Sequence, residues 1–436
     1  MKNIIKFGVP IILLLGIYIS GIYLFDSPSD VVVGLYNDDK KEIDTSNTLA
    51  IMYENDNGEY VESTSSNWLG DGYIFNATLS KCKNGSKIYY DDATNKVMVE
   101  ANTNDRCYVY FDIYKTPTLA DVCPNGGNFS NCVKLLYTEG GEGTNGLYYH
   151  DGVGTYTNAD QEAGDYSYRY SGADPNNYVC FGSDTETCPD EYLYRIIGVF
   201  DEDSDGVYNV KLIKADYTTS NMLGNDGEYY GNYNSDTSYY KGSMDTSTIA
   251  TYRWNNDTSE DGLGSNNWTT SELNNINLNT NYLTYLGNSW SSMIENSTWY
   301  LGGMASNSYL TKNFYDGERN AAGYGSNPTQ YDAKIGLMYV SDYGYAAYPD
   351  AWTTNLSLYN STIITQNNWL YMGLYEWSIT PYSSYSNIVF NIRYDGYVYG
   401  SSTSSFWFPI RPDFYLKPNI LYVSGNGTKD SPFRIN

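Results

Sequence analysis

Four sets of residues in this 436-residue chain have types and spacings that could do chemistry. The first is six cysteines, Cys82, Cys107, Cys123, Cys132, Cys180 and Cys188. Many pairings are formally open. Neighbour pairing, Cys82–Cys107, Cys123–Cys132 and Cys180–Cys188, is the simplest, and outside the cell such bridges are structural staples. A zinc site is a poor fit, because no CxxC spacing occurs and His150 is the only histidine. The second set is Asp201, Asp203 and Asp205 at alternate positions before Gly206, which resembles the start of a calcium loop. The twelfth position of that loop is Leu212, inside a strand pattern, so a hairpin turn is the better reading; structural calcium is the alternative, and no other cofactor is expected. The third is His150 itself, which stands in a Gly-rich loop with no motif to make it the base of a Ser-His-Asp site.

The fourth set lies in Trp369 to Leu416, where Trp369, Trp377, Trp407, Phe414 and Leu416 read as core anchors. Between them runs a surface of Tyr, Ser, Thr, Asn, Asp and Gly, a mixture suited to large, rigid and adaptable contact. Ile388, Phe390 and Ile392 alternate with Asn387, Asn391 and Arg393, a strand with one apolar face. Tyr394-Asp395-Gly396 suits a three-residue hairpin loop with glycine in the left-handed position. That register pairs Arg393 with Tyr397, Ile392 with Val398, Asn391 with Tyr399 and Phe390 with Gly400. It predicts Ile388, Phe390, Ile392 and Val398 inward, and Asn391, Arg393, Tyr397 and Tyr399 outward. A two-residue Asp-Gly turn would pair Arg393 with Val398 and mix the faces. Arg393 beside Tyr397 is placed to stack, worth about 0.5–1 kcal/mol if exposed.

The elements that must hold these residues are mostly short strands. LAIMYE, GYIFNATLS, KIYYDD, KVMVEA and CYVYFDIY, parted by Asn, Asp, Gly and Ser, predict a small antiparallel, sandwich-like module over residues 48–115. Thr116-Pro117-Thr118 marks a boundary. Beyond it, a short helix is predicted near Val133–Tyr137, strands at NYVCFG, LYRIIGVF and YNVKLIKA, and a helix through Leu273, Ile276, Leu278, Tyr282 and Leu286 capped by Thr269 or Thr270. AKIGLMYVSDYGYA reads as a buried strand with a polar end, and residues 215–253 as a Tyr, Gly and Asn-rich loop.

Lys+Arg number 25 against Asp+Glu 51, a formal charge of −26 that repels nucleic acid and anionic membranes and excludes nucleic acid as a partner. Fifty tyrosines rule out the aromatic-poor composition of a disordered chain. Lys2 and Lys6 precede an apolar run from Phe7 to Phe25, long enough for a membrane span, with the charge bias placing the bulk outside. No small-x-small cleavage motif closes the run, so residues 1–25 read as an uncleaved, single-pass signal anchor and 26–47 as an extracellular linker, with a strand at Val31–Leu35.

NYVCFG, LYRIIGVF, VKLIK, RWNN, NNWTTSELNNINLNTNYL, AKIGLMYVSDYGYA, NNWLYMG, EWSIT and IRPDFYL resemble a bacterial family of secreted or anchored surface proteins whose domain has no characterised function. The C-terminal half is similar to the C-type-lectin-like fold as used in the variable proteins of diversity-generating retroelements. The resemblance implies an α+β chain: a transmembrane helix, the small β module, then a C-type-lectin-like domain over 116–436 with its binding hairpin and loops at 378–410. In that system a reverse transcriptase randomises template adenines, so that Asn codons become a set excluding Lys, Glu, Gln, Met and Trp. Ser378 through Phe406 contains none of these five. The resemblance implies variable, ligand-contacting positions at Tyr382, Tyr385, Arg393, Tyr394, Tyr397, Tyr399, Ser401, Ser402, Ser404, Ser405 and Phe406, beside the outward Asn391. Trp377 and Ile410-Arg411-Pro412 would be framework; Phe408-Pro409 departs from the small residue usual before that motif.

The leading expectation is a cell-surface protein that displays this paratope to an extracellular ligand, protein or glycan. Calcium-dependent sugar lectins would show Glu-Pro-Asn or Gln-Pro-Asp, and neither occurs. A structural or adhesive surface protein without a diversified site is the alternative. Catalysis is the third reading and is not expected: the fold's oxidases work through late cysteines, and no cysteine follows Cys188.

Overall fold

The computed structural model describes residues 31–35, 48–63, 72–91, 96–101, 105–124, 126–153, 159–201, 205–257 and 263–436. The chain divides into two units, Met1–Thr116 and Pro117–Asn436.

In the first unit, one sheet has the order Tyr60–Glu62, Thr48–Glu54, Arg106–Ile113, Tyr73–Cys82, and a second the order Val31–Leu35, Lys96–Ala101, Lys87–Asp91. Val97, Val99, Val109 and Phe111 are buried at the centre. Cys82 lies opposite Cys107, and the two are bridged.

The expected fold class is corrected on two counts. The first unit is not antiparallel throughout: Thr48–Glu54 runs parallel to Arg106–Ile113, and Val31–Leu35 runs parallel to Lys96–Ala101. Alternation and turn signals mark strands, but they do not say which distant strand each one pairs with, and here the first strand of each sheet closes onto a much later one. Second, among the described residues no helix is long and apolar enough to cross a membrane; the anchor expected at residues 1–25 lies outside them. In place of the expected α+β chain with a transmembrane helix, an antiparallel module and a lectin-like domain, the described residues form a mixed α/β structure with many strands and few helices.

The second unit is built on a nine-stranded sheet. Its middle strand, Leu193–Phe200, is buried at every position, which is why its sequence is almost continuously apolar rather than alternating. Asn209–Lys214 pairs with it on one side and Pro412–Tyr415 follows, so the chain's late segment sits inside the main sheet. A helix, Phe129–Gly140, is capped by the Asn128 side chain, which accepts from Asn131 N at 3.0 Å. The predicted helix after Trp268 is wound as a π-helix over Leu273–Tyr282 before continuing as Leu283–Ser291. Its cap is Ser271, whose Oγ accepts from Asn274 N, rather than Thr269 or Thr270. AKIGLMYVSDYGYA is not one strand: Gly336–Leu337 is a two-residue strand and Val340–Tyr345 a helix. Cys123–Cys132 and Cys180–Cys188 are bridged, which completes the three neighbour pairings.

Trp369, Trp377, Phe414 and Leu416 are buried as expected of anchors. Trp407 is not an anchor; it is half-buried and lies flat on the exposed Tyr230, ring centroids 3.6 Å apart.

Candidate functional site

Three strands carry the candidate face: Glu376–Pro381, Ile388–Ile392 and Val398–Ser402, paired in that order. The hairpin has the longer-loop register, with Ile392 opposite Val398, Asn391 opposite Tyr399 and Phe390 opposite Gly400. Arg393 N donates to Tyr397 O at 3.0 Å, and Gly396 N donates to Arg393 O at 2.9 Å. Gly396 has φ +99°, the left-handed conformation such a loop requires.

What fixes this hairpin lies beneath it. Arg411 donates through Nε and Nη2 to the two Glu376 oxygens at 2.8 and 2.9 Å, and again to Leu370 O at 2.8 Å, all buried. Burial works against the Glu376 charge and holds its carboxyl above the usual range, although Arg411 opposes the shift. Trp377 Nε1 donates to Tyr252 O at 2.9 Å. The segments named as framework thus form a bidentate buried pair and a locked tryptophan under the exposed loops.

The two faces of the hairpin differ from their expected content. Phe390, Ile392 and Val398 are buried, with Phe390 edge-on to Phe314 at 5.1 Å. On the opposite face, Tyr399 is 49% exposed, while Arg393 and Tyr397 are half-buried. Asn391, expected outward, is fully buried, and neither of its amide atoms has a hydrogen-bond partner among the described residues. The reason is the third strand: Trp377 lies opposite Asn391, and Phe408 packs on Trp377 at 4.5 Å, roofing the centre of that face. Ser401, also expected to meet ligand, is buried opposite Val389.

The twelve expected contact residues therefore do not form one surface. Tyr382 stacks on Phe390 at 4.8 Å, on the apolar side of the hairpin, and the exposed Tyr385 packs against Tyr382. Asn266 Nδ2 holds this loop by donating to Tyr382 O, Tyr385 O and Ile388 O. Ser404 Oγ donates to Leu263 O, and Ser402 and Ser405 bond each other. On the other side Arg393, Tyr394, Tyr397, Tyr399 and Phe406 come together.

That second group is larger than the sequence indicated. Phe406 stacks towards Phe408 at 5.9 Å, Phe408 on Tyr375 at 4.8 Å, and Tyr375 meets Tyr394 at 5.4 Å. Tyr394 also meets the half-exposed Tyr239 at 5.4 Å. The Arg393 guanidinium lies 4.3 Å over the Tyr397 ring and 5.1 Å over Tyr394, and Tyr397 is edge-on to Tyr399 at 6.1 Å. Arg393 donates to Tyr397 Oη, to Tyr394 Oη at 3.3 Å and to Asp395 Oδ2 at 3.3 Å. Burial works against its charge, but Asp395 and the tyrosines outweigh that and hold the guanidinium above its ordinary value. On the flank, Arg253 lies 4.8 Å over Tyr230, itself stacked on Trp407. Tyr230, Tyr239, Tyr375 and Trp407 were missed as surface residues. The usable signal was composition: the 215–253 loop carries the same Tyr, Gly and Asn mixture as the hairpin.

The other candidate chemistry is accounted for locally. His150 is enclosed, its Nδ1 accepting from Ala163 N, and burial pushes its pKa down to about 3, so the ring stays neutral and out of reach of substrate. Asp201 accepts from Asp205 N and Gly206 N at 3.0 Å each, which spends its carboxylate on closing the turn; Asp203 lies outside the described residues.

No family model, curated protein or solved structure matches this chain.

Proposed function

We propose that the chain is a ligand-binding protein whose binding face is the aromatic sheet-edge of Arg393, Tyr394, Tyr397, Tyr399, Phe406, Tyr239 and Tyr375, and that its partner is an extracellular protein. The carrying observation is the continuity of these groups: Tyr394 is in ring contact with Tyr239 and Tyr375, the Arg393 guanidinium joins Tyr394 to Tyr397, Tyr397 is edge-on to Tyr399, and Phe406 joins Tyr375 through the buried Phe408. Tyrosines present large area with few rotors, and an arginine among them is the composition that concentrates binding energy at interfaces. The buried Glu376–Arg411 pair and Trp377 beneath keep the face preformed, which lowers the entropy lost on binding. Three disulfides suit an oxidising compartment, which favours an extracellular setting.

The proposal extends to diversification. Tyr399 and Phe406 lie on exposed positions that tolerate change, as a varied site requires, with Tyr394 and Tyr397 half-buried beside them. The deciding test compares copies of the gene in one genome. Differences concentrated at 382–406, with Trp377, Glu376 and Arg411 fixed, support the diversified reading; even divergence along the chain sinks it in favour of a structural surface protein. For binding itself, the intact chain and its Tyr399→Ala/Phe406→Ala variant are probed against extracellular-protein and glycan arrays. Protein ligands lost in the variant support the face; ligands bound equally by both place binding elsewhere.

A further inference from the structure

A cavity of about 830 Å³ opens in the second unit beside the strand Leu193–Phe200. Arg195 reaches it, wedged between the rings of Tyr178 at 4.3 Å and Trp369 at 4.7 Å. The guanidinium is aimed by its own bonds: Nε donates to Asn177 Oδ1 at 2.7 Å, and Nη2 donates to Asp174 Oδ1 at 2.9 Å and to Pro175 O at 3.0 Å. Nη1 has no hydrogen-bond partner among the described residues, yet it is not sealed from solvent.

This arginine is compensated differently from the other buried arginines of the unit and from Lys211. Arg169 faces Asp165 and Asp342, Lys211 faces Asp342 and Asp413, and Arg411 faces Glu376, all carboxylates that are buried or nearly so. The carboxylate on Arg195 is Asp174, whose side chain is 74% exposed and therefore shielded by water. Burial pulls the Arg195 guanidinium below its ordinary value, and Tyr178 and Asp174 only partly offset it. A buried, rigidly held guanidinium with a spare donor has the geometry to receive a carboxylate.

Besides Asp174, the lining carries Asp190, Glu191 and Asp216, none of them ion-paired with Arg195 among the described residues, and two of them are engaged elsewhere. Asp216 already accepts from Tyr240 Oη, Tyr217 N and Ser243 N, and Asp190 is engaged by Ser243 Oγ and Lys429. Beyond the arginine, Met222, Met244, Met372 and Leu193 line the cavity with soft, adaptable apolar surface. Polar groups such as Thr219, Asn221 and Thr248 share the lining, and an apolar side chain next to a free carboxylate would meet both the apolar surface and the guanidinium. The volume is in the range of sites that enclose a small ligand.

We propose that this cavity is a second binding site, independent of the aromatic face, that takes the C-terminal carboxylate of a peptide ending in an apolar residue, with Arg195 Nη1 as the carboxylate donor. Asp174 competes with the ligand for the same guanidinium.

The test uses the intact chain and calorimetric titration with N-acetyl-Phe-Leu as the free acid, the same dipeptide as its C-terminal amide, and glucuronate. The acid is expected to bind about ten- to a hundredfold more tightly than the amide, the span of a hydrogen bond to a charged group. Arg195→Met is expected to abolish that preference. Since Arg195→Met also removes packing against Trp369, the second variant is Asp174→Asn, at a side chain 74% exposed whose amide oxygen can still accept from Arg195 Nη2, so its folding cost is smaller. It is expected to tighten the acid severalfold and leave the amide unchanged. Equal affinity for acid and amide, an acid preference unchanged in Asp174→Asn, or glucuronate binding as well as the peptide acid would each overturn the proposal.

Discussion

Gly396 aims the turn that carries Arg393, Tyr394 and Tyr397, so Gly396→Ala tests the placement of the whole face. At φ +99° an L side chain strains the backbone by roughly 1–2 kcal/mol. A Cβ there would lie 2.4 Å from Thr365 Cγ2, 3.1 Å from Tyr359 O and 3.3 Å from Tyr343 Oη. Tyr343 is pinned by donating to Gly396 O at 2.5 Å, and Thr365 is nearly buried, so relief requires the surroundings to shift. Such overpacking costs about 1–3 kcal/mol, for a total of about 2–5 kcal/mol. Thr365→Ser removes the methyl that makes the closest contact and keeps the hydroxyl bonded to Ser361 O. The Gly396→Ala/Thr365→Ser double variant is therefore expected to recover the packing share and retain the backbone share, a coupling of about 1–3 kcal/mol. Urea unfolding in non-reducing buffer, followed by tryptophan fluorescence, measures it. Every tryptophan except Trp68 lies in the second unit, so the signal reports the right part of the chain. A single variant within about 1 kcal/mol of wild type, or a double variant no better than the single, would refute this placement of the turn.

Three further outcomes follow from the same geometry. Tyr399→Ala is expected to change stability by no more than about 0.5 kcal/mol, whereas Tyr397→Ala, which strips Arg393 of a stacked ring and a hydroxyl partner, costs about 1–2 kcal/mol in the same urea titration. Glu376→Gln leaves the Arg411 charge buried without its counter-ion and costs about 3–5 kcal/mol; pairing it with Arg411→Met recovers much of that, since the second substitution removes the orphaned charge. Glu318 accepts from Ser341 N and Thr380 Oγ1, yet burial outweighs those bonds and Arg319, raising its pKa to about 7. An acid raised on folding keeps its proton in the native state and loses it in the unfolded one, so its stabilising share is full below pH about 4.5 and is lost as pH rises through about 7. The share is about 3 kcal/mol, and Glu318→Gln is expected to flatten the stability–pH curve over that window by a comparable amount. An identical pH dependence in wild type and variant would contradict it.

The hairpin was legible because its information is local. Only one register places Phe390, Ile392 and Val398 on a common face, and Asp395-Gly396 supplies the loop that register needs. The disulfides were legible for a similar reason, since each closes a short separation in sequence. What was not legible depends on partners far along the chain. Nothing near Asn391 says that Trp377 and Phe408 cover it, and nothing near Thr48 says that its strand runs parallel to one beginning at Arg106. Tyr239 joins the binding face because it meets Tyr394, and Tyr230 joins its flank because the 229–252 segment bridges to Phe408 and Tyr230 stacks on Trp407. A tyrosine in a loop carries no local mark of whether it will meet another 150 residues later.

Asn391 is where that long-range burial leaves a cost in the free protein. Its side chain is fully buried and both amide atoms lack partners among the described residues, a penalty of about 1–3 kcal/mol relative to an apolar group of the same shape. Leucine has that shape, so Asn391→Leu is expected to stabilise the second unit by an amount in that range, less whatever its slightly larger volume costs in a site closed by Trp377. A residue chosen for stability alone would not be an asparagine at this position. One held there against stability, opposite Tyr399 on the neighbouring strand and two residues from Arg393, fits a face selected for what it contacts. If Asn391→Leu instead lowers the urea midpoint, the amide is satisfied in solution and the strained-site reasoning fails. If it raises the midpoint and leaves ligand capture on the arrays unchanged, the asparagine belongs to the scaffold and the face begins at Arg393.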